Sequence, residues 1–241
     1  MFRLLRSHPG WSFFIIATGA IATSEVLWSI YNSMCKWIQW RKAQVHEVLM
    51  FNELGFDCIL EHRKYSKEGR MYHCQNVHCS QRNIERIIEH LSKAKYSIDL
   101  AMYSFSSIEL ACALKMALGR KVVIRLIVSR HWDTKVNSQL ANLIRWGAQL
   151  RTQNSSYFMH HKFCVIDGQA RVDHIWRQKK RKYGPETTYS VLINGSLNWT
   201  DGGIGANWEN VHITSHAQMA TEFQSEFDRM WKAFADKSSA K

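Results

Sequence analysis

Two apolar rhythms alternate along this chain, and one long apolar run precedes them both. From Trp11 to Tyr31 the residues are almost all apolar or small, with Glu25 the single charge inside the run. About 20 such residues carry a helix across a hydrocarbon core. Trp11, Trp28 and Tyr31 near its ends, with Arg3 and Arg6 before it and Lys36, Arg41 and Lys42 after it, suit a membrane anchor. A signal peptide or a buried amphipathic helix would give a similar pattern. The length of the run and the basic residues close behind it favour the anchor, and Glu25 speaks against it unless it lies near an interface.

Beyond the run, apolar positions recur at helical spacing in several places. Val45, Val48, Leu49 and Phe51 predict a short helix over 44–57. Ile84, Ile87, Ile88 and Leu91 predict one over 81–94, and Ser106 or Ser107 caps another that runs to about Leu118. Val136, Leu140, Leu143 and Ile144 mark a helix over 135–146, and Met219, Phe223, Phe227, Met230, Trp231 and Phe234 one near the C-terminus. Between them, Tyr96–Tyr103, Val122–Val128, Phe163–Ile166, Val191–Ile193 and Val211–Thr214 read as strands. Helices alternating with strands predict an α/β fold with a mixed β-sheet flanked by helices. No internal repeat is evident. The expected organisation is an N-terminal tail (1–10), a transmembrane anchor (11–31), a juxtamembrane linker and first helix (32–57), a cysteine-rich insert (58–80), the main domain (81–236) and a C-terminal tail (237–241).

Composition adds little to the fold and more to the partners. At 46% hydrophobic and 22% charged residues the chain is globular rather than disordered. Its 32 Lys and Arg against 20 Asp and Glu leave a formal charge of +12, which favours nucleic acid or an anionic membrane surface. Of six cysteines, Cys112 and Cys164 fall in apolar stretches and read as buried small hydrophobes. The insert holds Cys58, His62, His73, Cys74, His78 and Cys79. A reducing compartment and a structural zinc site with four tetrahedral ligands suit that density of soft donors. The spacing matches no common finger, so unlinked or bridged cysteines stay open. Cys58, Cys74 and Cys79 are the firmest ligands, with His78 chosen as the fourth and His62 and His73 as competitors.

The chemistry concentrates in His160-x-Lys162-x4-Asp167. On a strand His160 and Lys162 share a face, where an imidazole that attacks phosphorus and a fixed positive charge could meet one phosphate. Gly195-Ser196-Leu197-Asn198-Trp199-Thr200 follows, with Ser196 and Asn198 as hydrogen-bond donors, and Asn207-Trp208-Glu209-Asn210 adds a carboxylate suited to orienting an imidazole. Residues 168–189 carry Arg171, Arg177, Lys179, Lys180, Arg181 and Lys182. They read either as a solvated loop or as a phosphate-backbone clamp beside the site, where Trp176 and Tyr183 could stack bases.

The order and spacing of these pieces resemble the phospholipase D superfamily motif, HxKx4D followed by GSxN. Met159-His160-His161-Lys162-Phe163, the Gly195–Thr200 segment and Trp208-Glu209-Asn210 are similar to the Zucchini, or mitochondrial phospholipase D (mitochondrial cardiolipin hydrolase), family, over about residues 44–236. This resemblance implies a phospholipase D-like fold with a small zinc-binding insert and no catalytic metal. It implies that His160 is the nucleophile, that Lys162, Ser196 and Asn198 bind phosphate oxygens, that Glu209 orients His160, and that Asp167 is a structural partner. The superfamily needs two such histidines, so a single motif implies a homodimer with two His160 residues at its axis, or else another acid such as His161. The implied setting is the outer mitochondrial membrane with the domain facing the cytosol. The implied substrate is single-stranded RNA, the precursors of piRNAs in transposon silencing; cardiolipin hydrolysis to phosphatidate and a silent scaffold for silencing factors are the alternatives.

Overall fold

In the computed structural model, residues 9–70, 72–133, 139–179 and 188–235 are described. The N-terminal apolar run forms helix α1, Pro9–Ala43. Phe13–Ala43 is long and apolar enough to cross a membrane. Its 35 residues exceed the expected 11–31, because no glycine or proline interrupts 32–43 and the predicted linker continues the helix. Residues 1–44 and 45–241 are separate compact units.

The second unit begins with a correction. The expected helix over 44–57 is instead strand β1, His46–Phe51, followed by a 3-10 turn at Glu53–Gly55 and the start of α2, Phe56–Lys67. Leu49 and Phe51 are buried while Val48 and Met50 are exposed, a period of two that the short helical pattern concealed. Pairing along the whole length of β7 (Glu209–Thr214), from His46↔Thr214 to Phe51↔Glu209, decides the matter. Cys58 and His62 thus lie on a helix, and the cysteine-rich insert is not an irregular stretch throughout.

Along the chain follow α3 (Ser80–Ser92), β2 (Ser97–Met102), α4 (Ile108–Gly119), β3 (Val123–Val128), α5 (Arg130–Asp133), α6 (Leu140–Arg145) and β4 (Gln149–Arg151). Then come β5 (Lys162–Ile166), α7 (Gln169–Gln178), β6 (Val191–Gly195), α8 (Asp201–Gly205), β7 and α9 (Ala217–Ala233). Ser107 caps α4, its hydroxyl accepting from the Leu110 amide. Cys112 is exposed on α4, a correction, because Leu110, Ala111, Ala113, Leu114 and Ala117 form the buried stripe and leave it outside. Cys164 is buried as expected. Val136 of the expected 135–146 helix lies outside the described residues, as do 1–8 and 236–241 of the tails.

The sheet is mixed, in the order β1-β7-β6-β5-β2-β3-β4, with β2, β3 and β4 parallel and the other neighbours antiparallel. One face packs under α3, α4 and α6 through residues such as Ile87, Leu100, Leu114 and Ile213. The other meets α9 through Phe163, Val165, Leu192 and Phe227. There Arg125 donates to Asp99 at 2.8 and 2.5 Å and to Asp228 at 2.7 Å, lying over the Phe227 and Trp231 rings. A buried charge needs such complete pairing.

The β5–β6 pairing fixes where the site can be. Phe163 faces Asn194 and Ile166 faces Val191. His160-x-Lys162 and Gly195-Ser-Leu-Asn198 therefore meet at one end of the sheet. The segment after Asp167 leaves and rejoins at the other end, about 17 Å away for five residues of strand. Its start is not a loop but α7, with Val172 and Ile175 buried one turn apart.

Candidate active site

His160 is exposed at the mouth of β5, and Lys162, two residues on, is half-buried on the same face. Lys162 Nζ donates to the His160 carbonyl at 3.0 Å and stands 3.4 Å from each ring nitrogen. At that length no short bond captures the imidazole lone pair. Tyr103, just past β2, forms the wall: its ring centroid lies 4.7 Å from that of His160 and 5.4 Å from Lys162 Nζ. The Tyr103 amide holds the His161 carbonyl at 2.9 Å. Burial pushes the Lys162 ammonium below its ordinary pKa, offset in part by the Glu209 carboxylate. A desolvated cation is a stronger partner for a phosphate than a solvated one.

The loop after β6 is tied to this wall. The Ser104 amide donates to Asn198 Oδ1 at 3.2 Å, which fixes the side-chain carbonyl and turns the Asn198 NH2 into the free donor. The amides of Ser106 and Ser107 both hold the Trp199 carbonyl at 2.9 Å, and Arg63 of α2 bonds Asp201 at 2.6 Å. Ser196 and Asn210 are reciprocally paired: the Asn210 amide donates to Ser196 Oγ at 3.0 Å, and the Ser196 amide to the Asn210 carbonyl at 3.1 Å. The Ser196 hydroxyl hydrogen stays available. Glu209 opens β7 and accepts from Asn207 Nδ2 at 3.1 Å.

Asp167 sits apart from these groups, at the remote end of β5. It is 4% exposed, with φ +48°, and its carboxylate accepts from the amides of Lys95, Tyr96 and Ser97 at 2.8, 2.7 and 2.8 Å. Burial pushes its carboxyl pKa up against the pull of those amides. Lys179 is likewise remote, a correction to its place in a clamp beside the site. It follows α7, where Trp176 packs edge-on against Tyr96 at 5.9 Å, at the Asp167 end. Lys180, Arg181, Lys182 and Tyr183 lie outside the described residues. His161 faces α9, 3.8 Å from Glu226 and edge-on to Phe163, on the side opposite His160. Strand alternation thus removes it as a second acid at the same phosphate. Tyr103 and Asn210 escaped the sequence reading; the signal for Asn210 was its adjacency to Glu209.

The donor atoms of Cys58, Cys74 and Cys79 lie within 4.8 Å of one another and could hold a metal ion. His62 Nε2 is 3.3 Å from Cys79 Sγ, whereas His78 is exposed. Of the histidines weighed as fourth ligand, His62 is thus the one in contact with a cysteine of the group, and Cys58 and His62 stand four residues apart on α2 and share a face. Burial and the adjacent Cys74 thiol push Cys58 up to about 11, so three thiols this close suit a thiophilic cation.

Residues 87–231 match the family described as "Cardiolipin synthase, PLD-like domain". The chain is 42% identical over 236 residues to a Drosophila melanogaster protein named mitochondrial cardiolipin hydrolase, covering 96% of this chain and 92% of that one. A protein of the same name from Danio rerio is 31% identical, covering 82% and 81%. Among solved structures, the phospholipase D family member Nuc from Salmonella typhimurium superposes with a TM-score of 0.51 at 21% identity, over 78% of this chain and 96% of that one. NucT from Helicobacter pylori gives 0.51 at 18% identity, over 64% and 90%. These two likenesses bear on the fold.

Proposed function

The chain belongs to the phospholipase D-like family of phosphodiesterases, and from that premise we propose that it is a membrane-anchored endoribonuclease that cuts single-stranded RNA through a phosphohistidine at His160. The observation that carries this reading is the exposed His160 imidazole beside Lys162 and Tyr103, with the Asn198 amide held by Ser104, the next residue after Tyr103. His160 attacks phosphorus, and the 3′ oxygen of the upstream nucleotide leaves with a proton from a second imidazole. Lys162, Asn198 and Ser196 hold the non-bridging oxygens, and Glu209 supports the charged imidazole. Water then attacks the phosphohistidine, the second imidazole takes its proton, and a 5′-phosphate product departs. The second imidazole is the His160 of another copy, because His161 faces α9; a two-fold homodimer brings the two motifs together.

Cys58, Cys74, Cys79 and His62 would hold a structural zinc ion, which ties α2 to the start of α3 and supplies no chemistry to the phosphate. Through Arg63 and Asp201 that lobe braces the loop bearing Asn198. The anchor α1 and the relatives' names support a mitochondrial membrane, and we assign the outer membrane with the domain in the cytosol. The charge of +12 and the open, exposed site favour RNA, and the family resemblance extends this to piRNA precursors and transposon silencing.

Cardiolipin is the second reading, favoured by the names of the relatives and by an N-terminal helix long and apolar enough to enter a membrane. Labelled single-stranded RNA and cardiolipin vesicles, each incubated with the protein and with His160→Ala in EDTA, separate the two. RNA cleavage that persists in EDTA and vanishes in the variant is expected. Lipid turnover alone would overturn the RNA reading, and turnover of neither would leave a scaffold.

A further inference from the structure

Of the two aromatic residues that the basic insertion offered for base stacking, Trp176 does not reach the site: it packs on Tyr96 at the far end of the sheet. A different aromatic group stands at the nucleophile itself. Tyr157 and Phe158, three and two residues before His160, are 81% and 61% exposed. Phe158 meets Tyr103 edge-on at 5.9 Å and His131 at 4.9 Å, and Tyr103 lies against His160.

Exposed aromatic rings are common where a loop is loose, but this loop is held from beneath. Gln153, 2% exposed, donates from Nε2 to the Tyr157 carbonyl at 3.1 Å and to Ser129 Oγ at 3.2 Å, while its Oε1 accepts from the Arg130 amide at 3.1 Å. Met159, between Phe158 and His160, is buried in the core under α9. One buried amide thus fixes both the aromatic loop and the turn carrying Arg130 and His131. Apolar area kept in water on a fixed backbone costs stability that a ligand can return.

We propose that Phe158 and Tyr157, backed by Tyr103 and His131, form a stacking subsite for the nucleobase next to the phosphate held at His160; this rests on the RNA reading above. The choice of a base over an acyl chain comes from the surroundings. Lys162 Nζ lies 5.4 Å from the Tyr103 ring centroid, and Arg130 adjoins His131 in the chain, so cationic groups stand beside the rings. A strand of planar bases on a polyanionic backbone matches both features, whereas an acyl chain gains nothing from the cations. The subsite also gives a reason for single-strand preference, since a paired base has no free face to offer.

The test uses the full chain in detergent micelles. Its substrates are labelled single-stranded oligoribonucleotides, intact or with one abasic nucleotide on the 5′ or 3′ side of the cleaved linkage. Phe158→Ala should lower kcat/KM on the intact strand roughly ten-fold, chiefly through KM, because stacking on one ring is worth about that factor. Phe158→Trp should restore it. Removing the adjacent base should slow the wild type by a similar factor and leave Phe158→Ala almost unaffected, since both changes delete the same contact. Wild-type cleavage that is indifferent to Phe158→Ala, or abasic and ring losses that multiply, would overturn the subsite while the ribonuclease reading stands. Loss of cardiolipin turnover in Phe158→Ala with RNA cleavage unchanged would reassign the rings to lipid. No RNA cleavage by the wild type would remove the ribonuclease reading and the subsite together.

Discussion

Replacing Asp167 should unfold this protein more than it disarms it. The carboxylate is buried and holds the amides of Lys95, Tyr96 and Ser97, which fasten the start of β2 to the end of β5. A hydrogen bond to a charged group contributes about 1.5–3 kcal/mol net, and a buried amide left without a partner costs about 1–3 kcal/mol. Burial still pushes the Asp167 carboxyl up, so the amides do not fully offset its desolvation and the lower part of the range applies. Asp167→Ala should therefore cost about 3–5 kcal/mol, at the upper end for single substitutions. Asp167→Asn keeps one acceptor oxygen and tolerates the positive φ, and should cost about 1–2 kcal/mol. Since Asp167 stands about 17 Å from Lys162 along the strand, cleavage per folded molecule should stay within about three-fold of wild type. The assay is urea unfolding of the chain from Val45 onward, followed by single-turnover cleavage at low temperature, corrected for the folded fraction. Asp167→Asn with wild-type stability and a hundred-fold loss of rate would refute this reasoning and return Asp167 to the reaction.

Elemental analysis should find one zinc per chain, abolished in Cys79→Ser and in His62→Ala and retained in His78→Ala; the reverse behaviour of the two histidines would restore His78 as ligand. Gly195→Ala drives a Cβ into the Asn210 carbonyl, so β6 and β7 must part beside Ser196, and cleavage should fall at least about ten-fold; an unchanged rate would show that the Ser196–Asn210 pairing is dispensable. Because burial lowers the Lys162 pKa, its charge is lost as pH rises through a value below the ordinary ~10.4. Binding of a phosphodiester analogue should weaken at lower pH than a solvent-exposed lysine would dictate, and Lys162→Arg should move that limb upward.

The sequence carried most of the sheet, because β2, β3, β5 and β6 are apolar runs bounded by polar turns, and the His-x-Lys and Gly-Ser-x-Asn segments announce themselves by residue type. What it concealed depends on partners far away in the chain. Val45, Val48, Leu49 and Phe51 fit a helix as well as a strand until β7 supplies the pairing. The insertion follows Asp167 directly, yet an antiparallel pair makes its described start, α7, leave from the end of the sheet away from His160. The cysteine cluster was half legible: three cysteines stood out, but His62 lines up with Cys58 only once α2 is seen to be a helix. Asn198 stood out by residue type, whereas the Ser104 amide that holds its side-chain oxygen lies 94 residues earlier.

The central claim is that His160 forms the covalent bond to phosphorus. Mixing the protein with RNA radiolabelled at its internal phosphates, quenching with alkali within one turnover and digesting it should yield a labelled peptide whose phosphoryl adduct maps to His160, stable in base and lost in acid. EDTA should not diminish it, and His160→Ala should abolish it. Rapid turnover with no such adduct, or an adduct on His161, would contradict the account.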